Sequence, residues 1–380
     1  MAQQKISAAF IRGGTSKGVF FHARDLPVEQ DRRDRIFLQA LGSPDGYERQ
    51  LNGLGGGISS LSKAVMIAPS NHPEADIDYT FAQVAVNEPI VDYAATCGNL
   101  SSAVGPFAID EGLLKVDDGE TVVRVFNTNT SKIYHARFAV KDSFAFVNGD
   151  QAIPGVSGTG APIALEYLDP GGSRTTGLLP TGNPIDRLEL GDGNAIEASL
   201  IDSTNPVAFV RVIDLKADIS RLPADLDTDR TLMDRIDQIR RAAAVSMGMA
   251  ETPEDAALSN PKIALVGAPA EFHDLSGNQH TAESVDICAR AVSMGNVHRA
   301  LPLTLSMCLA TACKTPGSIP NQIMREIDDD ADVRLGNPSG VIVAGAKVEQ
   351  AGNQWNVRHC RVVRTQRRLM EGSILIPEFV

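Results

Sequence analysis

Residues 97–110, CGNLSSAVGPFAID, are almost all small or apolar and carry no charge before the final aspartate. A helix built from them is apolar on every side, so it cannot lie on a surface and must be buried. The chain has 380 residues and 43% hydrophobic content, enough to supply such a core. Its length favours two domains or more.

The rest of the chain reads as strands with helices between them. KISAAFIRGG and KGVFFHA flank a Gly-rich turn with strand-like apolar content, and ETVVRVFNTN, KIYHARFAV, SFAFVNG and AIEASLIDSTNPVAFVRVI resemble successive antiparallel strands. DRRDRIFLQALG has helical spacing closed by glycine, and DRTLMDRIDQIRRAAAVSMGM is an amphipathic helix. SVDICARAVSMG is expected to form another helix, stopped at Gly295. The Gly, Pro, Ser and Thr-rich segment VSGTGAPIALEYLDPGGSRTTGLLPTGNP is the best candidate for a domain boundary. No tandem repeat is visible.

Charge and cysteine usage exclude several classes. A net charge of -12 with no basic run argues against nucleic acid, which needs a positive stripe to displace counterions. No apolar stretch reaches a membrane-spanning length, and the N-terminal residues lack the pattern of a signal peptide. Five cysteines without paired spacing fit free thiols in a reducing compartment, so a cytoplasmic protein is expected. The seven histidines show no metal-ligand spacing, and no metal site is expected. The GLGGG run lacks the spacing of a dinucleotide fingerprint, RGGTSKG that of a P-loop, and no Gly-x-Ser-x-Gly elbow is present.

Three glycine-framed segments carry candidate chemistry. Cys97 stands where the buried helix begins, and the positive end of a helix favours a thiolate. The thiol is thus either an acid or base, or one more cysteine filling space. RGGTSKG, residues 12–18, offers hydroxyls and a lysine suited to holding a carboxylate. GLGGGISSLSKAVMIAP, residues 53–69, leads through serines to Lys63 at the mouth of an apolar strand. There it is either a desolvated general base or a solvated strand cap.

Taken in order, RGGTSKGVFF, GGGISSLSKAVMIAPS, CGNLSSAVGPFAI, NPKIALVG and ARAVSMGNVHRALPLT resemble the motifs of the PrpF-type 2-methylaconitate cis-trans isomerases. Relatives of that family include 4-oxalomesaconate tautomerases, methylitaconate isomerases and aconitate isomerases. The resemblance spans nearly the whole chain. It implies an α/β (α+β), diaminopimelate epimerase-like fold of two domains, each an antiparallel curled sheet around a central helix, with the active site in the cleft between them. NLSSAVGPFAIDEGL and LTLSMCLATACKT would be the two central helices, and EGSILIP would return as a strand to the first domain. The domains would then be residues 1–184 with 366–380, and 185–365.

The resemblance further implies a cofactor-independent isomerase that shifts an allylic proton in a small unsaturated di- or tricarboxylate. It carries the catalytic pair onto Lys63 and Cys97. Thr15, Ser16, Lys17, Ser60, Gly98, Asn99, Lys262, Ser293, Met294 and Thr304 are the candidates for holding carboxylates and developing charge. A homodimer is compatible with this reading. Two alternatives stand beside it: a non-catalytic tricarboxylate-binding accessory protein, and an amino-acid epimerase or racemase of the same fold. The two-thiol chemistry of such racemases is disfavoured, because PLTLSMC begins the second helix with Thr304 and Ser306 and holds Cys308 a turn inside.

Overall fold

A computed structural model describes residues 3–93, 96–191, 193–258, 260–293, 295–352 and 354–377. The chain divides into two compact units, Met1–Glu166 with Val363–Val380, and Tyr167–Val362. The first division falls inside the Gly and Pro-rich segment, within the strand Ile163–Leu168 and upstream of the expected residue 184.

In the first unit, strand Gln3–Gly13 pairs antiparallel with both Ser16–His22 and the C-terminal strand Gln366–Pro377. Ser16–His22 continues in parallel to Lys63–Pro69, which pairs antiparallel with Ile77–Val84. That strand runs parallel to Gly119–Asn127, and Lys132–Lys141 closes the series antiparallel. The antiparallel sheet expected from the sequence therefore contains two parallel joins. A parallel join needs a long crossover, and each is bridged by a helix: Gln30–Leu41 for the first and Ser101–Asp110 for the second.

The helix Ser101–Asp110 contacts strands from both ends of this series, including Gln366–Pro377 and Lys132–Lys141. Laid flat, seven strands about 4.8 Å apart would separate those ends by about 29 Å. A helix about 10–12 Å across could not touch both. The sheet must curl around it, and every residue from Ser101 to Ile109 is buried. Gly105 allows the closest approach, since a Cβ there would lie 2.7 Å from the Phe138 ring.

Strand Ser16–His22 shows why both faces are apolar. Phe20 and His22 face the enclosed helix, with ring centroids 5.6 and 5.2 Å from Phe107. Val19 and Phe21 face the other way, into a cluster with Ile36, Phe37, Ala40 and Leu41 of the outer helix. That helix ends at Gly42, whose φ of 78° suits a left-handed cap.

The second unit repeats this order. Ala195–Ser203 pairs antiparallel with Asn205–Arg211, which runs parallel to Lys262–Gly267. That strand pairs antiparallel with Ile287–Ser293, which runs parallel to Val333–Asn337, and Gly340–Ala351 follows antiparallel. The parallel joins are again bridged by helices, Arg230–Ser246 on the outside and Leu303–Lys314 enclosed. The outer helix packs Ile236, Ile239 and Ala243 on Leu200, Val210 and Ile263. A repeat invisible in the residue identities is thus plain in the topology.

One expected helix is a strand. Residues 284–295 contain Ile287–Ser293 between two strand partners. Its residues from Ile287 to Val292 are all buried, Arg290 included, so neither face meets solvent and no period-2 alternation of apolar with exposed polar residues appears. No helix among the described residues is long and apolar enough to cross a membrane.

Candidate active site

The turn between the first two strands of the first unit lies against the start of the enclosed helix. Space there is set by glycine. A Cβ on Gly13 would lie 2.7 Å from the Asn99 carbonyl oxygen, and one on Gly14, at φ 50°, 2.3 Å from Asn99 Oδ1. The turn is held from outside by Arg12, whose guanidinium donates to the Gly14 and Thr365 carbonyls and to Thr365 Oγ1, each at 3.0 Å. It is held from the helix side by Asn99, whose Nδ2 donates to Thr15 Oγ1 at 3.0 Å. Arg364 Nε donates to Asn99 Oδ1 at 3.4 Å, which brings a nearly buried guanidinium to the same corner.

Cys97 occupies the turn that leads into this helix. Its carbonyl accepts from the Ser101 amide at 3.0 Å and from the Tyr79 hydroxyl at 3.3 Å, so the turn from Cys97 to Leu100 is continuous with the helix. The amides of Gly98 and Asn99 therefore belong to the group of leading N–H donors that find no partner inside a helix. The thiol is 8% exposed and lies 3.9 Å from Ser16 Oγ.

Lys63 opens the third strand and is also buried, 7% exposed. Its Nζ donates to Gln83 Oε1 at 2.5 Å and lies 4.9 Å from the Phe81 ring centroid. Burial pushes the amine below the ordinary lysine value, while the negative charge that Cys97 can carry pulls it the other way. A buried ammonium with no carboxylate partner among the described residues is costly, which shifts the balance towards the neutral amine. Gly18 again sets the clearance, since a Cβ there would meet the Lys63 carbonyl oxygen at 2.9 Å.

The first unit thus gathers Thr15, Ser16, Lys63, Cys97, Gly98 and Asn99. Ser60 is half-buried in the short turn Ser59–Leu61 just before Lys63. Lys17 is not gathered with them. Its Nζ lies 5.5 Å over the Phe10 ring, and Phe10 packs in the outer cluster. Strand alternation that turns Ser16 inward necessarily turns Lys17 to the opposite face. Gln83, Arg12 and Arg364 were not singled out from sequence. Gln83 becomes visible only through the pairing of Lys63 with Gln83 across two strands.

In the second unit Lys262 opens the corresponding strand and is half-buried, its Nζ 3.4 Å from Asn205 Oδ1. Burial lowers its affinity for a proton, Arg174 adds to that, and Cys308 opposes it. Thr304 lies in the first turn of the enclosed helix, and its carbonyl accepts from Thr204 Oγ1 at 2.7 Å. Thr204 holds φ at 62°, unusual for a β-branched residue, where the first unit has Gly14. Cys308 is completely buried, donates towards the Ile201 carbonyl at 3.5 Å and is pushed well above the usual thiol value by that burial. Ser293 ends strand Ile287–Ser293, its side chain outside the described set, and Met294 lies outside the described residues. Among the described residues no group of three or more His, Cys, Asp and Glu could hold a metal ion.

The model of the PrpF protein family matches residues 3–377. The chain is similar to the 3-methylitaconate isomerase of Eubacterium barkeri, at 39% identity over 98% of each chain. It is also similar to the 2-methyl-aconitate isomerase of Shewanella oneidensis, at 35% identity over 99% of this chain and 98% of the other. Among solved structures, that of methylitaconate-delta-isomerase superposes with a TM-score of 0.92 at 38% identity, covering 99% of this chain and 97% of that one. With a family match along nearly its entire length and isomerases at 35–39% identity aligned over nearly all of both chains, this chain belongs to the PrpF family and is an isomerase.

Proposed function

We propose that the enzyme shifts a proton between the two ends of an allylic system in a small unsaturated di- or tricarboxylate of the 2-methylaconitate, methylitaconate or oxalomesaconate type, with Lys63 and Cys97 as proton carriers. The observation that carries this reading is the buried Lys63 amine, its affinity for a proton lowered by burial, with a thiol at a helix start near enough to act on its charge. A protein that only bound carboxylates would need anchors and not this pair.

The neutral Lys63 amine takes the proton from the carbon next to the double bond. The electron pair of that C–H bond spreads through the double bond onto a carboxylate oxygen as a dienolate. The leading amides of the helix, Asn99, Thr15 and Ser16 meet the charge. A proton returned to the far carbon, by the Cys97 thiol or by Lys63 itself, gives the isomer with its double bond moved or turned. Lys262 is proposed as a carboxylate anchor, with Ser60, Ser293, Met294 and Thr304 as further candidates. The racemase alternative gains nothing from Cys308, which is enclosed and holds its proton firmly. All five cysteines are free, which suits a cytoplasmic enzyme.

Proton NMR in deuterated water, with 3-methylitaconate, cis- and trans-2-methylaconitate, 4-oxalomesaconate and aconitate, tests the reading. Isomerisation of one of them with deuterium entering the allylic position is expected. A folded protein that neither isomerises nor exchanges any of the panel overturns it.

A further inference from the structure

The partner of Lys63 is an amide, and the amide cannot turn. Both N–H donors of Gln83 Nε2 are engaged by main-chain carbonyls, Ser59 at 3.1 Å and Ser62 at 2.9 Å. Reversing the group would set its oxygen against two carbonyl oxygens and its NH2 against Lys63 Nζ. The network therefore assigns the orientation, with Oε1 towards the amine.

The carbonyls that hold Gln83 are themselves held. Ser62 is completely buried, and its Oγ accepts from Gln50 Nε2 at 2.7 Å. The same Gln50 nitrogen donates to Ser43 Oγ at 2.8 Å, and Gln50 Oε1 accepts from the Gly57 amide at 3.0 Å. Gln50 is 1% exposed. Two glutamines, one behind the other, thus fix the loop before Lys63 and then Lys63 itself, and neither brings a charge. The groups that face Lys63 are Gly18 from the parallel strand, Phe81 and Gln83 from the antiparallel strand, and Cys97 from the turn before the helix. Among these described neighbours only Cys97 can ionise.

We propose that Gln83 is a positioning residue for Lys63: a locked, charge-free acceptor that aims the amine and leaves it able to give up its proton. The inference rests on Lys63 being the base of the reaction proposed above. A glutamate would fit the same space and accept the same hydrogen bond, but its charge would hold the proton on Lys63. A methionine would keep the volume and remove the acceptor that favours the ammonium. The two replacements therefore act in opposite directions, which a merely structural role for Gln83 does not produce.

The test uses Gln83→Glu and Gln83→Met in the full chain, both checked for folding by circular dichroism. Two readouts are compared. One is the pH dependence of kcat/KM on the panel substrate that turns over. The other is the titration of the Lys63 ε-carbon by NMR in 13C-lysine-labelled protein, with the resonance identified by its loss in Lys63→Met. Gln83→Glu should raise the Lys63 titration and the acid limb of the rate profile together, by about 1–3 pH units. Gln83→Met should lower both. If Gln83→Glu does not fold, Gln83→Met decides the matter. A Lys63 titration unmoved in the folded variants overturns the proposal and leaves Lys63 as base. A titration that moves without the rate profile removes Lys63 from the chemistry, and the proposal falls with it.

Discussion

The two units open their third strand with the same residue type in different surroundings. Lys63 is almost fully buried, 2.5 Å from an amide oxygen and close to the thiol of a helix start. Lys262 is half-buried, 3.4 Å from the amide oxygen of Asn205, with Arg174 adding positive charge. The thiols differ more. Cys97 stands in the turn before its helix, whereas Cys308 is sealed inside the other. Burial lowers the proton affinity of both lysines, so what sets Lys63, the proposed base, apart from Lys262, the proposed anchor, is its greater depth and its place beside a locked amide and a helix-start thiol. Shared topology therefore does not require a shared role.

The largest effect that can break this comparison is expected from Lys63→Met. Steady-state turnover should fall by about 10^2–10^4-fold, as for loss of a positioned acid or base, while circular dichroism stays native. Near-native turnover would remove Lys63 from the mechanism. The pH dependence sharpens the same point. A base must be neutral to act, so kcat/KM should rise with pH through the Lys63 titration. Because burial lowers that titration, the acid limb should lie below the ordinary lysine range.

Cys97→Ser should come next, lowering kcat by roughly 10^2-fold, because a hydroxyl is a far poorer proton carrier near neutral pH. An unchanged rate would leave Cys97 as packing and make the two thiols equivalent.

Lys262→Met should weaken binding and spare the chemical step. Losing one charge-assisted hydrogen bond to a carboxylate costs about 1.5–3 kcal/mol, which is about a 10- to 150-fold rise in KM. A loss of kcat equal to that of Lys63→Met would contradict the division of labour between the lysines. Calorimetric titration with trans-aconitate gives the same answer without turnover.

The smallest effect is expected from Cys308→Ser. Its side chain faces the Ile201 carbonyl, which can also accept from a hydroxyl. Unfolding by urea should show a loss of about 1 kcal/mol, with kcat unchanged. A large fall in kcat would restore the two-thiol racemase reading.

Much of this was legible in residue order. The uncharged run from Cys97 to Ile109 and its counterpart Leu303–Cys313 must be buried wherever they occur, because apolarity on every side is a property of the segment alone. The outer helices announced themselves by their spacing, and the segments around Thr15, Lys63 and Cys97 by their glycines, whereas Lys262 came only with the family resemblance. Local chemistry of this kind does not depend on what packs against it.

Three features were settled only by tertiary pairing. Ile287–Ser293 is a strand because two strands flank it, and burial on both faces erased the alternation that would have marked it. Lys17 and Ser16 are adjacent in sequence, yet the pleat sends them to opposite faces, so only the neighbours of each face decide which can serve the site. Gln83 meets Lys63 across a gap of 20 residues through strand register. Residue order determined which groups the chain possesses and where its buried helices lie. Register and burial decided which of those groups meet, because a contact across strands is a property of the pair and is written in neither strand alone.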